Sequence, residues 1–518
     1  MGCFPEKRRK TLTLLTVLVV LSILGLVIIC VVFGIAQAIG TKNAVVIDAG
    51  SSSSKLSLYQ WKDDPFRTNA LVQQVMQDKV KPPISAFVHD PFGAYGVLEG
   101  PLNRMVAGIP ENKRSTVPVY LAATAGMRLE LLKDPLSTLD LFDVLRRGLL
   151  KSGLDVEYPN ERFRMLSGSE EGLYGWVSVN NILDKITAST QVSSERTIGS
   201  LDLGGASTQI SFAPRQRPDS EKAAVDYYSL KLFGARYEVY SHSFLCYGKD
   251  QFEKRVHALI ISSTSPSQNP IPHPCFPSGY TTSSKDANSF FDSPCITGAY
   301  AEKTFSKNPI KQPGWTTVQF VGTGNPDACR RTIEEQFNKT YCPTSPCSFN
   351  GVYQPSVSGA FRAYSGFSYV MAYLFAGKST GFTKTEVMNA VRKFCVTPWN
   401  ETAGTVGPSE QSIVAKYCFD GLYVTTLLEN MGFGTDEQWK TITFGDKIDG
   451  ASVSWALGYM LDQSGYLPSD SPKLNLPVAA FVPLLVIFFA ILVVCVTMLI
   501  VIMHHEKEKE AFHEDSEH

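Results

Sequence analysis

Two aspartates, each delivered by a short apolar run into a turn of glycine and serine, are the residues of this chain best suited to chemistry. Asp48 lies in Ala44 to Trp61, AVVIDAGSSSSKLSLYQW, where Gly50 and four serines line the turn and Leu56, Leu58 and Tyr59 resume an extended run. Asp202 holds the matching place in Ser200 to Phe212, SLDLGGASTQISF, with Gly204, Gly205, Ser207 and Thr208 in the turn. Each stretch reads as strand, tight turn, strand. Such turns present backbone N–H groups and hydroxyls to an anion. A carboxylate beside them can face Mg²⁺ or Ca²⁺, hard cations that take oxygen ligands, Mg²⁺ keeping most of its waters. The plainer reading of one such acid is a hydrogen bond to its own turn. Two of them point to two halves facing each other across a phosphate.

A second acidic pair, Glu170 and Glu171, lies in Leu166 to Trp176, LSGSEEGLYGW, and opens an amphipathic segment running to about Leu183. A helix N-terminus there favours ionised acids. Either glutamate is a candidate general base, a role that needs a carboxylate within reach of an attacking water. Four motifs are decoys or absent. Gly377-Lys378-Ser379 ends like a Walker loop, but Ala372 occupies the first glycine position and the residues before it read as helix. Residues 41 to 476 carry no GxSxG, HExxH or CxxC, and their histidines (His89, His242, His257, His273) are scattered, so no zinc site is expected.

The elements that must position these groups alternate between strand and helix. Val117 to Ala122 reads as a strand ending in Ala123-Thr124-Ala125-Gly126-Met127-Arg128. A helix follows from Pro135 to Ser152, with Asp134 as N-cap, Pro135 at the first position and Gly153 as the stop. This alternation predicts α/β layers. Ser265 to Gly279 is proline-rich and reads as a long loop. Phe361 to Phe375, FRAYSGFSYVMAYLF, reads as an aromatic helical stripe that faces the core, with an edge aromatic able to stack on a base.

The chain has 518 residues, 44% of them hydrophobic and 19% charged, with a formal net charge of -1, which gives no footprint for nucleic acid. Two uninterrupted apolar runs, Leu12 to Ala38 and Val478 to Met503, are each long enough to cross a bilayer core of about 30 Å. The first is too long for a cleaved signal peptide and reads as a retained anchor. Lys7, Arg8, Arg9 and Lys10 precede it, which places the N-terminus in the cytosol. The second span returns His504 to His518 to the cytosol, and residues 41 to 476 lie outside.

Eight of the 11 cysteines fall in that outer segment, an even count that predicts four disulfides with many pairings open, although Cys342 and Cys347 are near enough for one small loop. Cys3, Cys30 and Cys495 lie at or within the membrane; Cys3 is a candidate for acylation, while Glu6 breaks the myristoylation pattern. Asn338-Lys-Thr340 and Asn400-Glu-Thr402 are glycosylation sequons on the same outer segment. Gly34 and Ala38 are small residues that permit helix association within the first span, and so a homo-oligomer.

Taken together, these stretches resemble the ecto-nucleoside triphosphate diphosphohydrolases (ecto-apyrases), in their cell-surface branch with two membrane spans. Five signatures carry the likeness: Asp48-Ala-Gly-Ser-Ser52, Ala123-Thr-Ala-Gly-Met-Arg128, Ser169-Glu-Glu-Gly-Leu-Tyr-Gly-Trp176, Asp202-Leu-Gly-Gly-Ala-Ser-Thr-Gln209 and the Phe361 to Tyr369 stripe. The resemblance implies two ribonuclease-H-like, actin/Hsp70-like lobes with a cleft between them. Lobe I would comprise 41–166 and 446–476 and lobe II 167–445, flanked by membrane helices over 11–39 and 478–503, a cytosolic N-terminus 1–10 and a tail 504–518. It implies Glu171 as general base, with Ser207 and Gln209 orienting the water. Asp48 and Asp202 would hold Ca²⁺ or Mg²⁺ through its water shell. Ser51, Ser52, Ser53 and Thr124, with Gly204, Gly205 and Ala206 of the second turn, fall where phosphates are gripped. Gly366 and Tyr369 fall where the base is cradled.

The family's disulfides would pair Cys246 with Cys295, Cys275 with Cys329, Cys342 with Cys347, and Cys395 with Cys418. This chain departs from the family in three places: Ser53 where cell-surface members usually carry His, no cysteine between Cys30 and Cys246, and Ile413 near where a basic residue often faces the base. The expected function is a cell-surface hydrolase taking nucleoside tri- and diphosphates to the monophosphate. An acceptor-dependent kinase or a catalytically silent nucleotide receptor on the same scaffold are the alternatives.

Overall fold

The computed structural model describes residues 6–37, 39–186, 196–215, 224–265, 268–306, 309–471, 473 and 476–514. Cys3, Ala38 and the last four residues of the C-terminal tail lie outside the described residues. Two compact units separate along the chain, one holding Met1–Thr41, Lys62–Arg67 and Pro468–His518, the other Lys42–Trp61 and Thr68–Leu467.

The first unit is built on two helices, Glu6–Gln37 and Val478–Glu514. Both are long and apolar enough to cross a membrane, as expected from the uninterrupted hydrophobic runs. They pack on each other: Phe33 stacks on Phe481 with ring centroids 3.9 Å apart. At Gly25 the space a side chain would need is filled by the Phe488 ring.

The second unit repeats one sheet topology twice. Its first sheet has the order β3-β2-β1-β4-β5, with β1 Thr41–Ala49, β2 Ser54–Lys62, β3 Gln73–Val80, β4 Val119–Ala123 and β5 Phe163–Met165. Strands β4 and β5 run parallel to β1, and β3 runs antiparallel to β2. The second sheet contains β6 Gly199–Leu203, β7 Ser207–Phe212, β8 Tyr227–Leu232 and β9 Ala235–Leu245, then the strands Phe361–Ser365 and Ile442–Phe444. Here β6 and β7 form the antiparallel hairpin and β9 lies beyond it. Phe361–Ser365 and Ile442–Phe444 follow in parallel on the other side, and β8 is an added edge. The two sheets thus share a ribonuclease-H-like order, in keeping with the expected actin/Hsp70-like fold, and each first strand carries its aspartate near its end, just before the glycine-serine turn.

Alternation along β1 and β2 sets the layers. Val45, Ile47, Leu56 and Leu58 join a core with Leu98, Leu102, Leu141 and Leu145 from the helices Pro91–Val106 and Pro135–Leu149. Ala44, Val46, Tyr59 and Trp61 face the other way, toward Trp455, Tyr459 and Met460 of the helix Trp455–Ser464. The expected start of the Pro135 helix holds: the Asp134 carboxylate accepts from Ser137 N at 3.1 Å, and Gly153 closes the last turn at φ 72°.

Three readings of the sequence need correction. The aromatic stripe is not one helix: Phe361–Ser365 is a strand between β6 and Ile442–Phe444, and only Gly366–Leu374 is helical. A strand flanked by strands on both edges and covered on both faces shows no simple alternation, so its apolar run is indistinguishable from buried helix. The segment after Leu166 is the helix Gly168–Ile182, but it is not amphipathic, since every residue from Gly172 to Asn180 is buried. It lies against β6, β7 and β9 and the helix Trp455–Ser464, so it has no solvent face. Within Ser265 to Gly279, Ile271–His273 forms a short strand parallel to Phe320–Gly322.

The two central helices meet at Gly458, where an added Cβ would come 2.1 Å from Tyr174 O. No rotamer relieves a backbone clash, so Gly458→Ala is expected to destabilise this unit by about 1–3 kcal/mol, read as a lowered melting temperature. An unchanged melt would show that the helices can separate freely.

Four disulfides join Cys246 to Cys295, Cys275 to Cys329, Cys342 to Cys347 and Cys395 to Cys418, the pairing the resemblance implied. Cys30 and Cys495 are free.

Candidate active site

The two glycine-serine turns line a single cavity of about 170 Å³. From the first sheet come Asp48, Gly50, Ser51, Ser52 and Ser53, joined by Thr124, the N-cap of the helix Ala125–Lys133. The second sheet and its turn contribute Asp202, Gly204, Gly205 and Ser365, the helix Gly366–Leu374 contributes Gly366 and Tyr369, and Glu171 enters from the helix Gly168–Ile182. Trp455, Lys55, Lys79, Lys249 and Asp250 complete the wall. Ala206 is buried behind the second turn, packed against Gly248, where a side chain would come 2.3 Å from Ser207 N. Ser207 and Gln209 leave the turn along β7 and reach the cavity through Glu171. Ile413 is 55% exposed.

The structure separates the two glutamates. Glu170 is consumed locally: its carboxylate accepts from Ser167 N at 2.8 Å in a capping box and from Arg164 Nη2 at 2.9 Å. Glu171, one residue on, points into the cavity. Its Oε2 accepts from Arg128 Nη2 at 2.7 Å and from Gln209 Nε2 at 3.1 Å. Ser207 Oγ lies 2.7 Å from Gln209 Nε2 and 3.3 Å from Arg128 Nη2. With both those donors aimed at its oxygen, the Ser207 hydroxyl keeps its own hydrogen for another acceptor. Gln209 Oε1 is buried without a hydrogen-bond partner among the described residues, so an acceptor is left beside the carboxylate. Glu171, Gln209 and Ser207 therefore offer the donors and acceptors that would hold one water against the base.

Burial dominates the electrostatics. The Glu171 carboxyl is pushed up to about 8, first by burial; the Arg128 charge opposes this, while Asp202 and Asp48 add to it. Asp202 is pushed up to about 6 and Asp48 is also raised, each mainly by burial, with Lys55 pulling both back. Asp48 and Asp202 each keep one buried carboxylate oxygen without a hydrogen-bond partner among the described residues. Two desolvated acids with spare oxygens, lining one cavity with two glycine-serine turns, fit a hard divalent cation. Among the described residues no three His, Cys, Asp or Glu cluster as ligands, so such an ion would keep water and phosphate in much of its shell.

Arg128 was not singled out from the sequence, although it closes one of the signatures. Its contact with Glu171 joins a helix after β4 to the central helix, and no local pattern announces it. Because Arg128 lowers the Glu171 carboxyl, removing it should leave a base that ionises only at higher pH. Arg128→Met is expected to move the rising limb of the pH–rate profile upward and to reduce turnover at pH 7 by about 10-fold or more, from a shift of at least one unit. A profile with its midpoint unmoved would show that Arg128 does not act through the carboxylate.

Comparison with known proteins bears on this site. Residues 36–477 match the GDA1/CD39 (nucleoside phosphatase) family. The chain is 34% identical over 492 residues to ectonucleoside triphosphate diphosphohydrolase 1 of Bos taurus, covering 91% of this chain and 92% of the relative. It is 34% identical over 492 residues to ectonucleoside triphosphate diphosphohydrolase 8 of Gallus gallus, covering 92% and 95%. Among solved structures, the nucleoside triphosphate hydrolase fold of Neospora caninum superimposes with a TM-score of 0.60 at 15% identity, over 86% of this chain and 95% of that one. At that identity the likeness speaks to the fold.

Proposed function

We propose, for a chain that belongs to the GDA1/CD39 (nucleoside phosphatase) family, the removal of terminal phosphates from extracellular nucleoside tri- and diphosphates, ATP to ADP to AMP. It is an enzyme of the nucleoside triphosphate diphosphohydrolase type, and its relatives of that name match over nearly its whole length. The observation that carries the reaction is Glu171, buried beside Gln209 and Ser207 in a cavity walled by both phosphate turns. The family is divalent-cation dependent. Either Ca²⁺ or Mg²⁺ suits the paired carboxylates.

In this reading the phosphate chain lies between Ser51–Ser53 with Thr124 and Gly204–Ala206, where backbone N–H groups and hydroxyls surround it. The base rests against Gly366 and Tyr369. A water held by Ser207 and Gln209 gives its proton to Glu171 as its oxygen attacks the terminal phosphorus, and the shortened nucleotide leaves on the opposite side. A divalent ion at Asp48 and Asp202, when bound, supplies positive charge for the phosphate oxygens. Asn338 and Asn400 are proposed glycosylation sites.

Two apolar helices associate the chain with a membrane; the proposed arrangement puts both termini in the cytosol and the second unit outside. Among the described residues, no heavy atom lies within 4 Å of where a side chain would stand at Gly34, which leaves room there for a second copy.

A time course of ATP, ADP and AMP on membranes displaying the chain, with Ca²⁺ or Mg²⁺ and no acceptor, tests the reading. Phosphate should appear with successive loss of ATP and ADP. Nucleotide binding without phosphate release would favour a silent receptor, and acceptor-dependent turnover a kinase.

A further inference from the structure

Lys55 and Lys79 stand directly opposite each other on β2 and β3, paired Cα to Cα in an antiparallel ladder. Both line the catalytic cavity beside Ser51, Ser52 and Ser53. Like charges facing each other across a sheet destabilise it. Among the described residues, no carboxylate comes within ion-pair distance of either ammonium. The Lys79 ammonium is held below its ordinary range, first by desolvation and then by the charges of Lys55 and Lys81. Lys55 also faces the charges of Asp48 and Asp202, which it pulls back, whereas the leading charges on Lys79 are those of two other lysines, so the pair offers positive charge to an anion in the cavity. Gly366 and Tyr369 line the cavity from the helix Gly366–Leu374, whereas the two lysines enter from the first sheet.

We propose that Lys55 and Lys79 form a cationic clamp for the terminal phosphoryl group of the substrate, and for orthophosphate before it departs. The clamp rests on the hydrolase reading above. It gives the first sheet a charge contact with substrate beyond its serine turn. Charge-assisted contacts of this kind are about twice as strong as neutral ones.

The test is an equilibrium titration of the full chain in detergent with Mg²⁺, using the β,γ-imido analogue of ATP and, separately, AMP, which lacks the clamped group. Lys55→Met and Lys79→Met should each weaken the analogue by about tenfold, as for loss of a hydrogen bond to a charged group. They should leave AMP unchanged, with Lys55→Arg restoring most of the loss. Because Lys79→Met removes a repulsion with Lys55 and Lys81, its ligand-free melting temperature should be equal to or above wild type. Unchanged analogue binding in Lys55→Met would overturn the clamp. So would an equal loss for AMP accompanied by a lower melting temperature, since that pattern marks a structural role. A wild-type chain that binds neither nucleotide would overturn the hydrolase reading itself.

Discussion

Glu171→Gln lowers ATP turnover by about 10²–10⁴-fold, the range for loss of a positioned general base, while nucleotide binding persists. Glutamine keeps the shape and can still accept from Arg128 and Gln209, but it cannot take the water's proton. The same substitution carries a stability signature with a definite sign. The Glu171 carboxyl sits at about 8 in the folded chain against an ordinary glutamate value of 4.5. Between those two values the folded state binds the proton and the unfolded state does not. Stability therefore falls as pH rises from the ordinary value through about 8. Glu171→Gln removes that loss, so the variant should melt higher than wild type at pH 8 to 9 and gain little near pH 4. Near-normal turnover, or a melting difference that grows toward low pH, would remove Glu171 from the centre of the mechanism.

The second large effect belongs to the paired aspartates. Asp48→Asn or Asp202→Asn should each reduce kcat/KM by about 10²–10³-fold, as for loss of one electrostatic contact to the transition state, and raise the divalent-ion concentration needed for half-maximal rate. If the two acids act on one ion, as proposed, the double variant should lose little more than the worse single. Calorimetric titration of Ca²⁺ or Mg²⁺ into the chain with the imido analogue gives a readout independent of turnover, and binding should weaken in both singles. Without metal the sign reverses for stability: Asp202 is raised by burial first, so an uncharged asparagine should leave the metal-free fold as stable or more so near pH 7. Metal binding indifferent to both substitutions would move the ion elsewhere.

The parts of this site that were legible in the sequence are local ones. Asp48 and Asp202 declare themselves because an apolar strand, a carboxylate and a glycine-serine turn are contiguous, and a hairpin turn is built from such neighbours. Asp134, Pro135 and Gly153 bounded a helix for the same reason. Glu170 and Glu171 could have been told apart. Ser167 with Glu170 three residues on is a capping box, which assigns the first glutamate to its own helix end and frees the second.

What stayed hidden depends on contacts between distant elements. Arg128 reaches Glu171 from another helix, and Lys55 meets Lys79 only once the register of β2 and β3 is known. The strand Phe361–Ser365 reads as helix in the sequence because it is paired on both edges, so burial removes the alternation that marks a half-exposed strand. Its turn into Gly366–Leu374 is nevertheless what carries Gly366 and Tyr369 to the cavity.

Hydrolysis in ¹⁸O-enriched water tests the central claim most directly. If the water beside Glu171 attacks the terminal phosphorus, the heavy oxygen appears in released orthophosphate and the nucleotide product carries none. Heavy oxygen in the ADP or AMP phosphate, or orthophosphate free of label, would contradict the account.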